Sequence, residues 1–226
     1  MSKEAKKKVE LEKEPNTIDK LIVWYRNSEK IINVVTTAIL VIALLILVYY
    51  LWWAPKRQTK AEVAVWKAEQ YFAVDSLQYA LNGDGTCDGL LSVIKDYSCT
   101  KTATRARFMA GSCYLKLGEF DNAIKYLKRS HPRDKMVAIQ RLGLLGDAYL
   151  EKNDINKAAN YYKKASKKHV NDMLTPMYLM RYALVCEMQG NWSDAIDAYQ
   201  TIQTKYTSSY EAMDVEKRIE YAKTRQ

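Results

Sequence analysis

The feature that most constrains this chain is a run of 23 residues, from Ile31 to Trp53, without a single charged side chain. As an α-helix the run would be about 35 Å long, because each residue adds about 1.5 Å. The hydrocarbon core of a bilayer is roughly 30 Å thick. Few soluble domains bury so long an uncharged segment. The run therefore predicts one transmembrane helix over residues 31–53.

The predicted span ends in four aromatic residues, a composition typical of the membrane–water interface. These residues are Tyr49, Tyr50, Trp52 and Trp53. A cleaved signal peptide would have a shorter apolar stretch and small residues before its cleavage site. We therefore expect an uncleaved signal anchor, and we expect Pro55 to break the helical pattern.

The sequence before the span divides into two parts. Residues 1–15 are rich in Lys and Glu, which predicts a disordered charged tail. In residues 16–30, Ile18, Leu21, Ile22 and Tyr25 recur at helical spacing, which predicts an amphipathic helix at the membrane surface. Docking of this helix onto a partner protein is the alternative. Four basic residues lie close to each end of the span, so local charge does not decide its orientation. Four further lysines in the tail favour a cytoplasmic N-terminus.

Residues 59–226 contain an internal repeat in which a small residue is followed four positions later by a large one. The three copies are Ala123/Leu127, Ala158/Tyr162 and Ala195/Tyr199, spaced by 35 and 37 residues. A segment such as Leu145-Gly-Asp-Ala-Tyr149 precedes each copy. This pattern is that of the tetratricopeptide repeat, which has a period of about 34 residues. We therefore predict an all-α fold, in which the N-terminal transmembrane helix is followed by a tetratricopeptide-like α-solenoid.

The repeat pattern also assigns roles within each helix pair. Small residues at Gly111, Gly146 and Ala183 would let the two helices approach closely, and the large residues would fill the gap between successive pairs. We expect left-handed turns at Gly118, Asn153 and Gly190. We expect Asp121, Asn156 and Ser193 to cap the second helices.

Both ends of the repeat domain depart from this pattern. A degenerate first unit is predicted from a helical stretch over Ala61–Ala80, a turn at Asn82–Gly85 and a helix over residues 88–97. A polar capping helix is predicted over residues 210–224, with Val215, Ile219 and Ala222 on its apolar side.

The sequence carries none of the motifs of phosphate, dinucleotide, zinc-protease or serine-hydrolase sites. We therefore expect no enzyme activity, no cofactor and no metal. The net charge of +9 (35 − 26) is spread over the chain, and the run Lys163–Lys168 is expected to be a solvated face and not a nucleic-acid site. We expect Cys113 and Cys186 in the core, while pairing of Cys87 with Cys99 stays open.

The order of these segments resembles the YfgM-like family of bacterial inner-membrane proteins. The similarity is sharpest over 143–151 (GLLGDAYLE) and 158–165 (AANYYKKA). It implies an ancillary subunit of the SecYEG translocon that works with PpiD, a membrane-anchored periplasmic chaperone. The implied location is the bacterial inner membrane, with the N-terminus in the cytoplasm and the repeat domain in the periplasm.

Two other functions fit the same architecture. One is a structural scaffold of another envelope assembly, and the other is a cytosol-facing receptor on an organelle membrane. In each case the repeat domain would bind protein. Arg107, Arg141 and Arg181 lie about one repeat apart on first helices and are the predicted partner contacts, although a solvated role would give the same spacing.

Overall fold

The computed structural model describes residues 17–226, and the chain divides into two compact units after Pro55. The described residues form helices and turns, with one isolated bridge between Gly83 and Asp88. The all-α prediction is confirmed. The predicted disordered tail at 1–15 lies outside the described residues.

The first unit contains helix α1, Thr17–Val48, followed by a π-helical segment, Tyr49–Trp53. Leu40 and Leu44 in α1 are 69% and 61% exposed. Within the described part of the chain, one helix is long and apolar enough to cross a membrane, over Lys30–Ala73. Its most apolar window has a mean hydropathy of 3.0, and none of that window is buried against the rest of the described structure.

Pro55 does not end the helical backbone, so that expectation is wrong. Helix α2, Ala54–Ala73, contains Pro55 at its second position. A proline removes one N–H donor and its ring clashes with the carbonyl four residues earlier. The π-helical turn at Tyr49–Trp53 widens the backbone directly before it, which is the usual local adjustment at such a point.

The second unit, Lys56–Gln226, is built from antiparallel helix pairs. After α2 the helices are α3 Leu77–Asn82, α4 Leu90–Asp96, α5 Lys101–Lys116, α6 Phe120–Arg129, α7 Lys135–Glu151, α8 Ile155–Lys167, α9 Leu174–Met188, α10 Trp192–Lys205 and α11 Val215–Lys223. A 3₁₀ turn, Tyr210–Met213, precedes α11. The predicted repeats correspond to the pairs α5/α6, α7/α8 and α9/α10.

Glycines bring the two helices of a pair into close contact, as predicted. A Cβ added at Gly111 would lie 2.6 Å from Cγ of Leu127, and one added at Gly146 would lie 2.5 Å from the Tyr162 ring. Leu127 and Tyr162 therefore pack against the first helix of their own pair. Tyr162 also reaches the next pair, with its ring centroid 6.5 Å from that of Tyr178. The large residue thus serves both contacts, and not only the gap between pairs.

The turns inside the three pairs share one hydrogen-bond pattern. Gly118, Asn153 and Gly190 all have positive φ, as predicted. The residue after each turn position donates its N–H to a carbonyl five residues earlier, for example Glu119 to Tyr114 at 2.9 Å and Asn191 to Cys186 at 2.9 Å. This is the Schellman arrangement that ends a helix on a left-handed residue.

The predicted helix caps are displaced by two residues. The N-cap positions are Glu119, Asp154 and Asn191, because each N-cap directly follows the left-handed residue and the second helix begins at the next position. Asp154 and Asn191 accept side-chain hydrogen bonds from the N–H groups of Lys157 and Asp194. Asn156 accepts instead from the Gln189 amide at 2.7 Å, which joins α8 to α9.

The first helices of the domain differ from the predicted Ala61–Ala80 stretch, which is broken at 74–76. Asp75 has φ +60 there, and Lys116 holds its carboxylate at 2.5 Å. The turn predicted at Asn82–Gly85 is confirmed. Asp84 Oδ1 accepts hydrogen bonds from the N–H groups of Thr86 and Cys87, and Tyr71 donates to Oδ2 at 2.6 Å. These three hydrogen bonds therefore hold the loop closed.

Two hydrophobic clusters fill the second unit. The smaller one joins α2, α3, α4 and α5 through ten buried residues that include Val65, Leu81 and Met109. The larger one extends from α6 to α11 and includes Leu145, Tyr162 and Tyr199. Val215, Ile219 and Ala222 are buried, so α11 caps the solenoid as predicted. Cys113 and Cys186 are buried as predicted, and all four thiols are unpaired in the structure.

Candidate functional site

A cleft of about 620 Å³ opens on the repeat domain where α2, α5 and α7 come together. Its floor is apolar and is contributed by all three helices. Phe72 comes from α2, Phe108 and Met109 from α5, and Val137 from α7. A recess of this size with an apolar floor is suited to one or two large side chains of a bound segment.

The loop that joins α6 to α7 closes one side of the cleft, and two hydrogen bonds fix it there. The Ser130 hydroxyl donates to the Thr104 carbonyl of α5 at 3.1 Å. Asp134 caps α7 by accepting the Val137 N–H at 2.9 Å. Between these two anchors His131, Pro132 and Arg133 line the cleft. The loop is therefore held in place from both ends.

A polar clamp forms the wall next to α2. Arg105 of α5 donates to Glu62 and to Glu69 of α2, both at 2.6 Å. Burial lowers the pKa of Arg105, but hydrogen bonds and charge from the two glutamates outweigh it, so the pKa lies above its ordinary value. Burial raises the pKa of Glu62, but bonds with Arg105 and Thr102 outweigh it and lower that pKa. Arg105 is thus neutralised by its own chain.

The remaining charge on the rim is positive. Lys101 and Arg133 line the cleft, and neither forms an ion pair with any of the described residues. The only carboxylate in the lining, Asp134, is occupied as a helix cap. An apolar floor beneath two unpaired cations complements a segment that carries a large apolar side chain and an acidic group.

The three arginines predicted from the repeat spacing do not form one surface cluster. Arg107 donates to the Ser98 carbonyl at 2.8 Å, and Arg141 donates to the Leu127 carbonyl at 3.2 Å. Arg181 instead binds Asp147 at 2.5 Å and lies over the Tyr178 ring. Their positions relative to the small residue of each first helix explain the difference. Arg107 lies four residues before Gly111, whereas Arg181 lies two before Ala183, so the two side chains leave their helices in different directions.

The three guanidinium groups also differ in electrostatic setting. Burial lowers the pKa of Arg107, and the nearby Arg129 adds to this effect. Burial also lowers the pKa of Arg141. For Arg181, burial lowers the pKa but the ion pair with Asp147 outweighs it, so that pKa is raised. All three are half-buried, and their role as partner contacts stays a prediction.

The aromatic residues predicted at the membrane interface lie together in the π-helical segment. Tyr49 packs edge-on against Tyr50, with ring centroids 5.5 Å apart, and lies 5.6 Å from Trp53. Trp52 is 72% exposed. Their placement at the end of an exposed apolar helix fits the predicted role, which stays a prediction.

The cleft residues were not identified by sequence reasoning. Phe72, Phe108, Arg133 and Val137 occupy no common position in the repeat, and three of them lie on different helices. The one available indication was the loop at 130–134, where Pro132 and three charged or titratable neighbours separate two repeats. A repeat alignment treats such a connection as a spacer.

Comparison with known proteins identifies the repeat. Two family models of the tetratricopeptide repeat match the chain, over residues 104–130 and over residues 144–210. These ranges fall on the α5/α6 pair and on α7 to α10. No curated protein matches the chain. The protein therefore contains tetratricopeptide repeats, and these matches concern the repeat itself and not the YfgM-like family.

Proposed function

We propose that this protein is a membrane-anchored protein-binding module that has no catalytic role. Tetratricopeptide repeats imply protein partners. Helix α1 would hold the domain at one membrane surface, which raises the local concentration of any partner in that membrane. The observation that carries the proposal is the cleft between α2, α5 and α7, with its apolar floor and its unpaired Lys101 and Arg133.

The specific role we propose is that of an ancillary subunit of the SecYEG translocon, acting with a PpiD-like membrane-anchored chaperone on chains that emerge from it. The order of tail, surface helix, single span and repeat domain supports this role. In this role the N-terminus would lie in the cytoplasm and the repeat domain in the periplasm of a bacterial inner membrane. The cleft would hold an apolar side chain of a partner segment while its acidic groups contact the rim.

Protease protection tests the topology. In spheroplasts, added protease should remove the repeat domain and leave the N-terminal tail protected. A repeat domain that is cleaved only after the membrane is opened to the cytoplasmic side would contradict the translocon role and favour a cytosol-facing receptor.

Co-purification in mild detergent tests the partners. We expect translocon subunits and a PpiD-like chaperone to co-purify with the wild-type chain. Charge reversal at the rim, Lys101→Glu with Arg133→Glu, should reduce their yield. A matched reversal away from the cleft, Lys95→Glu with Lys205→Glu, should leave the yield unchanged. Recovery of envelope proteins without translocon subunits would favour a scaffold of another assembly.

A further inference from the structure

A second cleft, of about 560 Å³, lies between the middle of α7 and the C-terminal half of α8 and is lined mainly by cations. Arg141 comes from α7, and Lys163, Lys164, Lys167 and Lys168 come from α8 and its C-terminal end. No carboxylate lines it. This second cleft will be called the basic cleft.

Its lysines are largely unpaired within the described residues. Helix α8 carries four lysines and no Asp or Glu. Lys163 donates to the Tyr182 hydroxyl at 3.0 Å and lies 3.9 Å from Asp194. Lys164 lies over the Tyr161 ring. Neither Lys167 nor Lys168 forms an ion pair with any residue that the structure describes, and both are exposed. The cleft therefore carries uncompensated positive charge.

Arg141 adds an unsatisfied donor to the basic cleft. Its Nη1 donates to the Leu127 carbonyl, but its Nε is buried and has no acceptor within the described structure. Buried donors without partners are uncommon in proteins. Lysines at the end of α8 also complement that helix's dipole. Arg141, however, comes from another helix, so the dipole does not explain why these cations converge.

We propose that the basic cleft binds the phosphate of an anionic phospholipid headgroup at the surface of the membrane that holds the anchor. Lysines on flexible stems act as point charges that suit phosphate. An acidic protein segment would also need an apolar anchor point. The basic cleft has none that is exposed, because its only apolar lining residue, Leu142, is buried. In this respect it differs from the cleft between α2, α5 and α7.

The inference rests on the proposed membrane anchoring. The second unit begins at Lys56, three residues after the aromatic end of the apolar segment at Trp53. A membrane anchor raises the effective concentration of the domain at the lipid headgroups, so weak contacts from a few lysines would be sufficient for binding.

The test uses the full chain reconstituted in two sets of vesicles, one of phosphatidylcholine alone and one of phosphatidylcholine mixed with phosphatidylglycerol. Lysine acetylation is followed residue by residue by mass spectrometry. We expect Lys167 and Lys168 to react about fivefold more slowly in the anionic vesicles, the factor that corresponds to one basic group at such a surface. The matched control, Lys205 in the last turn of α10, should react equally in both.

A pair of variants sharpens the test. Lys163, which lines the same cleft, should also be protected by anionic lipid in the wild type, and Lys164→Gln with Lys167→Gln and Lys168→Gln should abolish that protection. An equal loss of charge elsewhere, Lys95→Gln with Lys205→Gln and Lys217→Gln, should leave protection of Lys167 and Lys168 intact. Equal reactivity of Lys167 and Lys168 in both vesicles would overturn the headgroup site. Equal protection by inorganic phosphate or by polyaspartate, in vesicles without phosphatidylglycerol, would overturn it as well, because the ligand would then be free phosphate or an acidic chain.

Extraction of the same vesicles with alkaline carbonate separates this proposal from the anchoring on which it rests. A chain that is released by carbonate would contradict the anchor itself. A chain that resists carbonate but shows no lipid-dependent protection would contradict the basic cleft alone.

Discussion

The first helices of the repeat domain and the three regular pairs are held together in different ways. In the pairs, glycines let a large side chain lie directly on the opposite helix, as Tyr162 does on Gly146. Around α2, α3 and α4 the core mixes small and branched residues, for example Ala68 of α2 with Leu81 of α3 and Leu90 of α4. There, polar bonds link distant parts of the chain, from Glu62 and Glu69 to Arg105 and from Tyr71 to Asp84.

This difference has a consequence for function. The regular pairs are held together by complementary shape. The residues that provide this shape recur along the chain, and the family models recognise them. The first helices, α2 to α4, depend on charge and on one closed loop, which do not repeat, and they lie outside both matched ranges. The cleft that we propose as the partner site forms where the two kinds of packing meet. Its chemistry is therefore particular to this chain and not to the repeat.

The largest expected effect comes from adding a methyl group at the tight contact between Gly146 and Tyr162. In Gly146→Ala the new methyl group would lie 2.5 Å from the buried Tyr162 ring. We expect the free energy of unfolding to fall by about 3 kcal/mol, the upper range for overpacking. Urea denaturation followed by circular dichroism measures it. In the control, Gly118→Ala, the methyl group meets nothing within 4 Å, so only the left-handed strain of about 1 kcal/mol should appear. Equal losses would show that helix contact is not the cause.

Two tyrosine–aspartate hydrogen bonds, each of 2.6 Å, allow a direct comparison of the two regions. Tyr162 bonds Asp147 in the regular pairs, and Tyr71 bonds Asp84 among the first helices. Tyr162 is 2% exposed, and burial raises its pKa strongly. Its hydroxyl therefore lies where water cannot replace it. Tyr162→Phe should cost about 1.5 kcal/mol. Tyr71→Phe should cost less, because Tyr71 is only half-buried and water can take the place of its hydroxyl at Asp84. A larger loss for Tyr71→Phe would reverse the comparison.

Acid should weaken the contact between α2 and α5, in which Glu62 binds Arg105. The pKa of Glu62 in the folded chain lies below its ordinary value of 4.5. Stability from this group is therefore present above the unfolded pKa and is lost as the pH falls through the folded one. The side chain is 43% exposed, so the loss should not exceed about 1 kcal/mol.

Urea midpoints of the wild type and of Glu62→Gln, measured at several pH values, check this expectation. The two curves should converge as the pH falls from 4.5 through the lower pKa of the folded chain, because the wild-type carboxylate is neutral in both states only below that pKa. A constant difference at all pH values would mean that Glu62 does not contribute through its charge.

The smallest effect concerns a connection between repeats. His169 follows α8 with φ +48, a conformation that costs little for glycine. His169→Gly should raise the free energy of unfolding by about 0.5 kcal/mol, as relief of left-handed strain slightly exceeds the added chain entropy. His131→Gly, where φ is not positive, should lower it by a similar amount. Urea denaturation of both variants, with equal dependence of the free energy of unfolding on urea concentration, measures the two changes. A loss of stability in both variants would contradict the strain argument.

The sequence was a good guide wherever a local rule repeats. Contacts at Gly111 and Gly146 and the left-handed turns followed from spacing, because each is set within one helix pair. The caps were misplaced by two residues, since the helix begins directly after its turn and not at the next polar residue. The break at Asp75 was missed, because neither Gly nor Pro marks it and its carboxylate is held by Lys116, 41 residues away.

The candidate site was the least predictable part. The cleft combines Phe72, Phe108 and Val137 from three helices with a loop that two hydrogen bonds fix in place. No spacing links these residues, so only the assembled structure brings them together. The three arginines share a spacing but not a direction, since a shift of one or two positions rotates a side chain around its helix.

Site-specific photo-crosslinking in native membranes tests whether the cleft between α2, α5 and α7 binds a partner protein. A photoreactive amino acid would replace Val137 in the cleft, and a matched one would replace the exposed Gln203 on α10. We expect a discrete adduct with a translocon subunit or its chaperone from position 137 and none from position 203. Absence of any protein adduct at position 137, or the same adducts from both positions, would show that the cleft is not the partner site.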